Sequence, residues 1–244
     1  MPSAFLPSLS SMLVALALLP VAATATDLTA QELRWLKAGA PAIAYAKQMK
    51  LPVDIVVQPQ AGPNDVPLAM GFMDGRCKLV LTLRGNPTAE DVLHTLPEHG
   101  RDLMIEAMTA HELGHCWRYA QNDWHVLPTG FVEKDADLPA DAQLAQLSRE
   151  LRETRREEAY ADLVALAWIQ RSRPADYAAV YGWLRQLRDA QPASHLSHDT
   201  RTWLGLARDG AVFAGAASSF EQARTVWSHG LQPDDVVMMV QAQR

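Results

Sequence analysis

Apolar positions along the chain change their period once. From Leu28 to Lys50 they recur at helical spacing (Leu28, Leu33, Leu36, Ile43, Ala44, Met49), with Gly39 and Pro41 interrupting, which predicts two helices or one broken one. Three β-type runs follow, Pro52 to Gln58, Pro67 to Met73 and Cys77 to Leu83. Gly62-Pro63-Asn64-Asp65 and Asp74-Gly75 separate them, with turn chemistry that suits a hairpin or meander. From Thr88 almost to the end the pattern is helical, broken near Pro97 to Gly100, Pro128 to Pro139, Pro174, Gln191 to Asp199, Gly210 and Pro233. Strands grouped early and helices grouped late predict an α+β fold, a small antiparallel or mixed sheet with a mostly helical remainder packed against one side. No internal repeat or long linker divides residues 26–244, which are read as a single domain.

Residues 1–25 stand apart. They hold no charged side chain, carry the apolar stretch Met12 to Leu19 and end in Ala23-Thr24-Ala25, a small-x-small cleavage pattern. This reads as a secretory signal peptide cut near Ala25, with a periplasmic or secreted product. An uncleaved anchor is the alternative, for which the apolar span is short. Elsewhere no uncharged apolar run reaches the length of a membrane helix, so a multi-span membrane protein is not expected. Lys and Arg number 22 against 28 Asp and Glu, a net charge of −6 with no basic run, so the electrostatic footprint of a nucleic-acid binder is missing. Export would place Cys77 and Cys116, the only two cysteines, in an oxidising compartment. Either they form a disulfide or they pack as two buried thiols.

The chemistry concentrates in the apolar-rich helix expected over Arg101 to Ala120, which contains His111-Glu112-Leu113-Gly114-His115. Imidazoles at i and i+4 leave one helix face a turn apart, so both can reach a single tetrahedral Zn²⁺. A carboxylate beside the first of them, Glu112, is placed to take a proton from the attacking water and pass it to a leaving amine. A third ligand is required. The extended HExxHxxGxxH form does not supply it, because Arg118 stands at its glycine position and Gln121 at its last histidine. A long helix expected from about Ala140 to Gln170 offers a better source. Leu144, Leu147 and Leu151 set an apolar stripe that continues through Glu158, Ala161 or Asp162, Ala165 and Ile169. Carboxylates on a buried face need a compensating charge, which a dication would provide. Glu157, about 100° off that stripe by helix geometry, reads as solvated.

His111-Glu112-Leu113-Gly114-His115 followed by Glu158-Ala159-Tyr160-Ala161-Asp162 resembles the HExxH plus ExxAD signature of gluzincin metallopeptidases, M48-like in the form of the second motif. The resemblance spans about 60 residues and implies a zincin-like fold. It also implies that His111, His115 and Glu158 bind zinc, that Glu112 is the general base, and that Asp162 orients a ligand histidine through a hydrogen bond. Enzymes of this kind place a His or Tyr near the oxyanion after the third ligand. His198, within Ser194 to Arg201, is the candidate here and Tyr160 its rival, with Asp199 or Thr200 read as capping the helix that starts at Arg201. For His94, His99, His125 and His229 nothing local suggests ligation.

Three functional classes follow. The first is an exported zinc metallopeptidase acting on a polypeptide substrate. The second is a non-catalytic accessory or binding protein on the same scaffold. The third is a coincidental HExxH on a packing helix. An intact base beside the ligands argues against the second, since a structural zinc has no use for it. For substrate, Lys78 to Arg84 is the last strand before the metal helix. As an edge strand it could pair with an extended peptide; otherwise it is a core strand. Trp168, Trp183 and Trp203 lie on helical patterns and read as core.

Overall fold

The structure, a computed structural model, describes residues 27–62, 65–94, 96–133, 141–190, 196–215 and 217–242. The segment read as an export signal lies outside them.

Helix α1 (Ala30–Gln48) begins at a capping box, in which Thr29 accepts from the Glu32 amide and the Glu32 carboxylate accepts from the Thr29 amide. It is one helix with Pro41 inside it. The expected break does not occur, because the face carrying Trp35, Ala42, Ile43 and Ala46 stays buried across the proline. Gly39 permits the closest approach to the next long helix, since a Cβ there would meet Thr109 Oγ1 at 2.5 Å.

Strands β1 (Val53–Val57), β2 (Leu68–Met73) and β3 (Arg76–Leu81) form a mixed sheet in the order β1-β3-β2. β1 and β3 are parallel, with Val53 opposite Cys77, while β2 and β3 are antiparallel, with Met70 opposite Leu79. Asp74 and Gly75, at φ of 54° and 71°, close the β2–β3 hairpin. The small mixed sheet beside a mostly helical body is the α+β arrangement expected. Of the two readings of the last strand, edge or core, the core strand holds: β3 lies in the middle, with Cys77, Leu79 and Leu81 buried, and β1 and β2 are the edges.

Helices α2 (Glu98–Ala120), α3 (Ala142–Ser172), α4 (Tyr177–Asp189), α5 (Arg201–Leu206) and α6 (Ser219–Ala242) follow. Among the described residues no helix is long and apolar enough to cross a membrane. Asp141 caps α3 by accepting from the Gln143 and Leu144 amides. α3 packs against α2, α4, α5 and α6 and is the centre of the helical layer. From Ala159 to Ile169 every residue is buried, so no single face is solvent-facing. Its first turns project instead, leaving Leu144 and Leu147 54% and 51% exposed. The apolar stripe therefore does not start where the sequence pattern set it. Trp168, Trp183 and Trp203 are buried as expected. Cys77 and Cys116 are joined in a disulfide that ties β3 to α2.

Candidate metal centre

α2 and α3 cross at Gly114. A Cβ there would lie 3.0 Å from Ala161 Cα and 3.1 Å from Val164 Cβ, so only glycine lets the two backbones approach this closely without displacement. The approach brings His111 and His115 of α2 to Glu158 of α3. The two Nε2 atoms are 3.2 Å apart, and each lies 3.5 Å from a Glu158 carboxylate oxygen. These three side chains form the group among the described residues that could hold a metal ion. Around a tetrahedral zinc with ligands at about 2.0–2.1 Å, neighbouring donor atoms are separated by about 3.3–3.4 Å, so the donor set fits such an ion.

The surrounding hydrogen bonds fix the donors. Asp162 accepts from His111 Nδ1 at 2.9 Å, which leaves the lone pair of Nε2 facing the other two ligands. Asp162 is itself held by Arg188 of α4, through Nε at 2.9 Å and Nη2 at 2.7 Å, and by the Thr200 hydroxyl at 2.6 Å. Arg188 Nη2 also reaches Glu158 at 3.3 Å. His115 Nδ1 is buried with no hydrogen-bond partner.

Burial alone would raise the Asp162 carboxyl, but Arg188 and His111 outweigh it and hold the group well below the ordinary carboxylate range. Burial likewise opposes ionisation of Glu158, whose pKa is nonetheless pulled to about 2 by His115, His111 and Arg188. Burial pushes Glu112 up, against the pull of His111 and His115. For His111, burial is overcome by the Asp162 hydrogen bond and the Glu158 charge, and its pKa is raised.

A cavity of about 500 Å³ opens over these three side chains and is also lined by Glu112, Arg188 and His198. His198 Nε2 lies 3.7 Å from Glu158, while Ser197 Oγ is 3.0 Å from its Nδ1. Burial lowers its pKa, so the ring is neutral near pH 7. Tyr160 is not part of this cluster. It is fully buried and donates to the Phe220 carbonyl at 3.0 Å. The Asp199 carboxylate reaches the Arg201 amide at 3.4 Å, whereas Thr200 spends its hydroxyl on Asp162 rather than on a cap.

Glu157 is not solvated. Its side chain is 3% exposed and is gripped by Arg118 through Nε at 3.1 Å and Nη2 at 2.9 Å. The stripe argument assumed one buried face, which does not hold for a helix enclosed on all sides. His125 also lines the cavity, with Trp124 beside it. His94 pairs with Asp91 on the surface, and the His99 side chain lies outside the described residues. Neither Arg188 nor Trp124 carries a local sequence signal, since each reaches the site through a helix or loop distant from both motifs.

No known family model, curated protein or solved structure matches the chain.

Proposed function

We propose that the protein is an exported zinc-dependent metallopeptidase of the M48-like gluzincin type, cleaving peptide bonds with Glu112 as general base. One observation carries this reading: three donors at tetrahedral spacing face a cavity that also holds an unligated carboxylate. A structural zinc has four protein ligands, whereas a catalytic one keeps a position open. The local charge supports a dication as well. Glu112, Glu158 and Asp162 carry three potential negative charges against the single guanidinium of Arg188.

When bound, zinc supplies Lewis acidity to the attacking water and to the scissile carbonyl. The protein's own groups do the rest. Glu112, raised in pKa by burial, accepts the proton of the water and returns it to the leaving nitrogen. Asp162 holds the His111 ring in the tautomer that ligates, and Arg188 with Thr200 holds Asp162. His198, neutral and facing the cavity, is placed to donate to the carbonyl oxygen as it gains charge.

The test is Glu112→Gln in the full chain, assayed for metal stoichiometry and for digestion of an unfolded protein such as casein. The variant keeps its metal and loses about 10²–10⁴-fold in turnover. Undiminished turnover would refute the mechanism. A wild-type protein that binds metal stoichiometrically but cleaves nothing would favour the accessory-protein reading.

A further inference from the structure

Beyond the ligands, the cavity has a wall that the proposed chemistry does not use. Leu68, Met70 and Phe72 of β2, an edge strand, line it together with Trp124. Phe72 stacks on Tyr119 at 4.1 Å and meets the Trp124 ring edge-on at 5.3 Å, while Trp124 in turn meets His115 edge-on at 5.7 Å. The Trp124 indole is therefore in contact with His115 on one side and with Phe72 on the other, within the lining of the cavity.

The loop that carries Trp124 follows directly on α2, which left-handed Asn122 (φ 57°) closes, with the Asp123 amide donating to the Arg118 carbonyl at 2.9 Å. After Trp124, His125 also takes a left-handed φ of 60°. Such a conformation persists only where its surroundings impose it. The Arg118–Glu157 pair does so. Glu157 accepts from the His125 amide at 3.0 Å and Arg118 Nη2 donates to the Val126 carbonyl at 3.0 Å. The guanidinium also lies over the Trp227 ring at 4.4 Å. The backbone that directly follows Trp124 is thus pinned by one pair whose side chains are 2% and 3% exposed. Packed apolar residues would serve stability as well as a buried ion pair does, so a positional role accounts for its presence better.

We propose that Trp124 is a specificity-determining residue that receives a large apolar side chain of the substrate beside the metal, and that Arg118 and Glu157 are the positioning pair that sets it there. This rests on the peptidase reading. A wall of Trp124, Leu68, Met70 and Phe72 favours burial of an apolar or aromatic group and offers no partner to a charged one.

The test uses the full, zinc-loaded chain and two metal-directed probes, glycine hydroxamate and phenylalanine hydroxamate, titrated calorimetrically. Wild type binds the phenylalanine compound about tenfold more tightly, a modest share of what burying a large apolar side chain yields. In Trp124→Ala the ratio falls below about threefold, and Trp124→Phe retains most of it by the same burial argument. The double variant Arg118→Met/Glu157→Leu, which replaces the pair by apolar groups, keeps metal stoichiometry and melting temperature but loses the preference as Trp124→Ala does. A wild-type ratio near one, or a full ratio in Trp124→Ala, overturns the assignment of Trp124. A full ratio in the double variant overturns the positioning role alone. If neither probe binds, or no metal is held, the peptidase reading falls together with the inference.

Discussion

Glu157 and Glu158 are neighbours in the chain and stand in opposite electrostatic situations. On the Glu157 side of α3 the buried carboxylates meet guanidinium groups: Glu157 with Arg118, Asp234 with Arg155 at 2.9 Å, and Glu133 with Arg152 and Arg156, each at 2.8 Å. On the Glu158 side, Glu158 and Asp162 share one arginine, and Glu112 lines the same cavity. Burial of acids is thus common to both regions and distinguishes neither. A ligand-holding region is marked by acids whose charge the protein leaves uncompensated, next to donors with free lone pairs.

The contrast can be broken most directly by removing each glutamate in turn. Glu157→Ala strands Arg118 in the interior and costs about 3–5 kcal/mol in denaturant unfolding, with metal stoichiometry retained. Glu158→Ala loses stoichiometric metal. Metal retained in Glu158→Ala would mean that the two regions had been assigned the wrong way round. Chelation sharpens the same contrast. With free zinc at 100–1,000 times Kd the ion contributes about 2.7–4.1 kcal/mol, so excess chelator lowers the melting temperature of wild type. It leaves Glu158→Ala unchanged in calorimetry. Asp162→Asn is milder, weakening metal binding about 10–100-fold in competition with a chromophoric chelator, because the His111 ring loses its anchor. Smallest of all is Leu147→Gln on the projecting turns of α3, expected to change stability by no more than about 0.5 kcal/mol.

What the sequence made legible follows from range. The period change foretold the α+β division, and the i, i+4 imidazoles foretold a shared focus, since both depend on residues within a turn or two. Glu158 and Asp162 were found through a stripe on their own helix, although Leu144 and Leu147 at its start are exposed. Reading failed where the answer depended on another element. Glu157 looked solvated because a helix pattern cannot announce that Arg118 of α2 will enclose it. β3 read as either edge or core, and its insertion between β1 and β2, which chain order does not reveal, decides for core. The continuity of α1 through Pro41 is likewise decided by what its buried face packs against. Arg188, Thr200 and Trp124 arrive from elements without a motif, and only the folded arrangement recruits them.

Cys116 directly follows His115, so its bond to Cys77 fastens the helix of His111 and His115 to the middle strand at the turn from which the second imidazole leaves. A chain made where thiols stay reduced must hold that turn by packing alone. Recombinant preparations from a reducing cytosol and from an oxidising host are therefore distinct reagents, to be sorted by thiol titration before their zinc loading or turnover is compared.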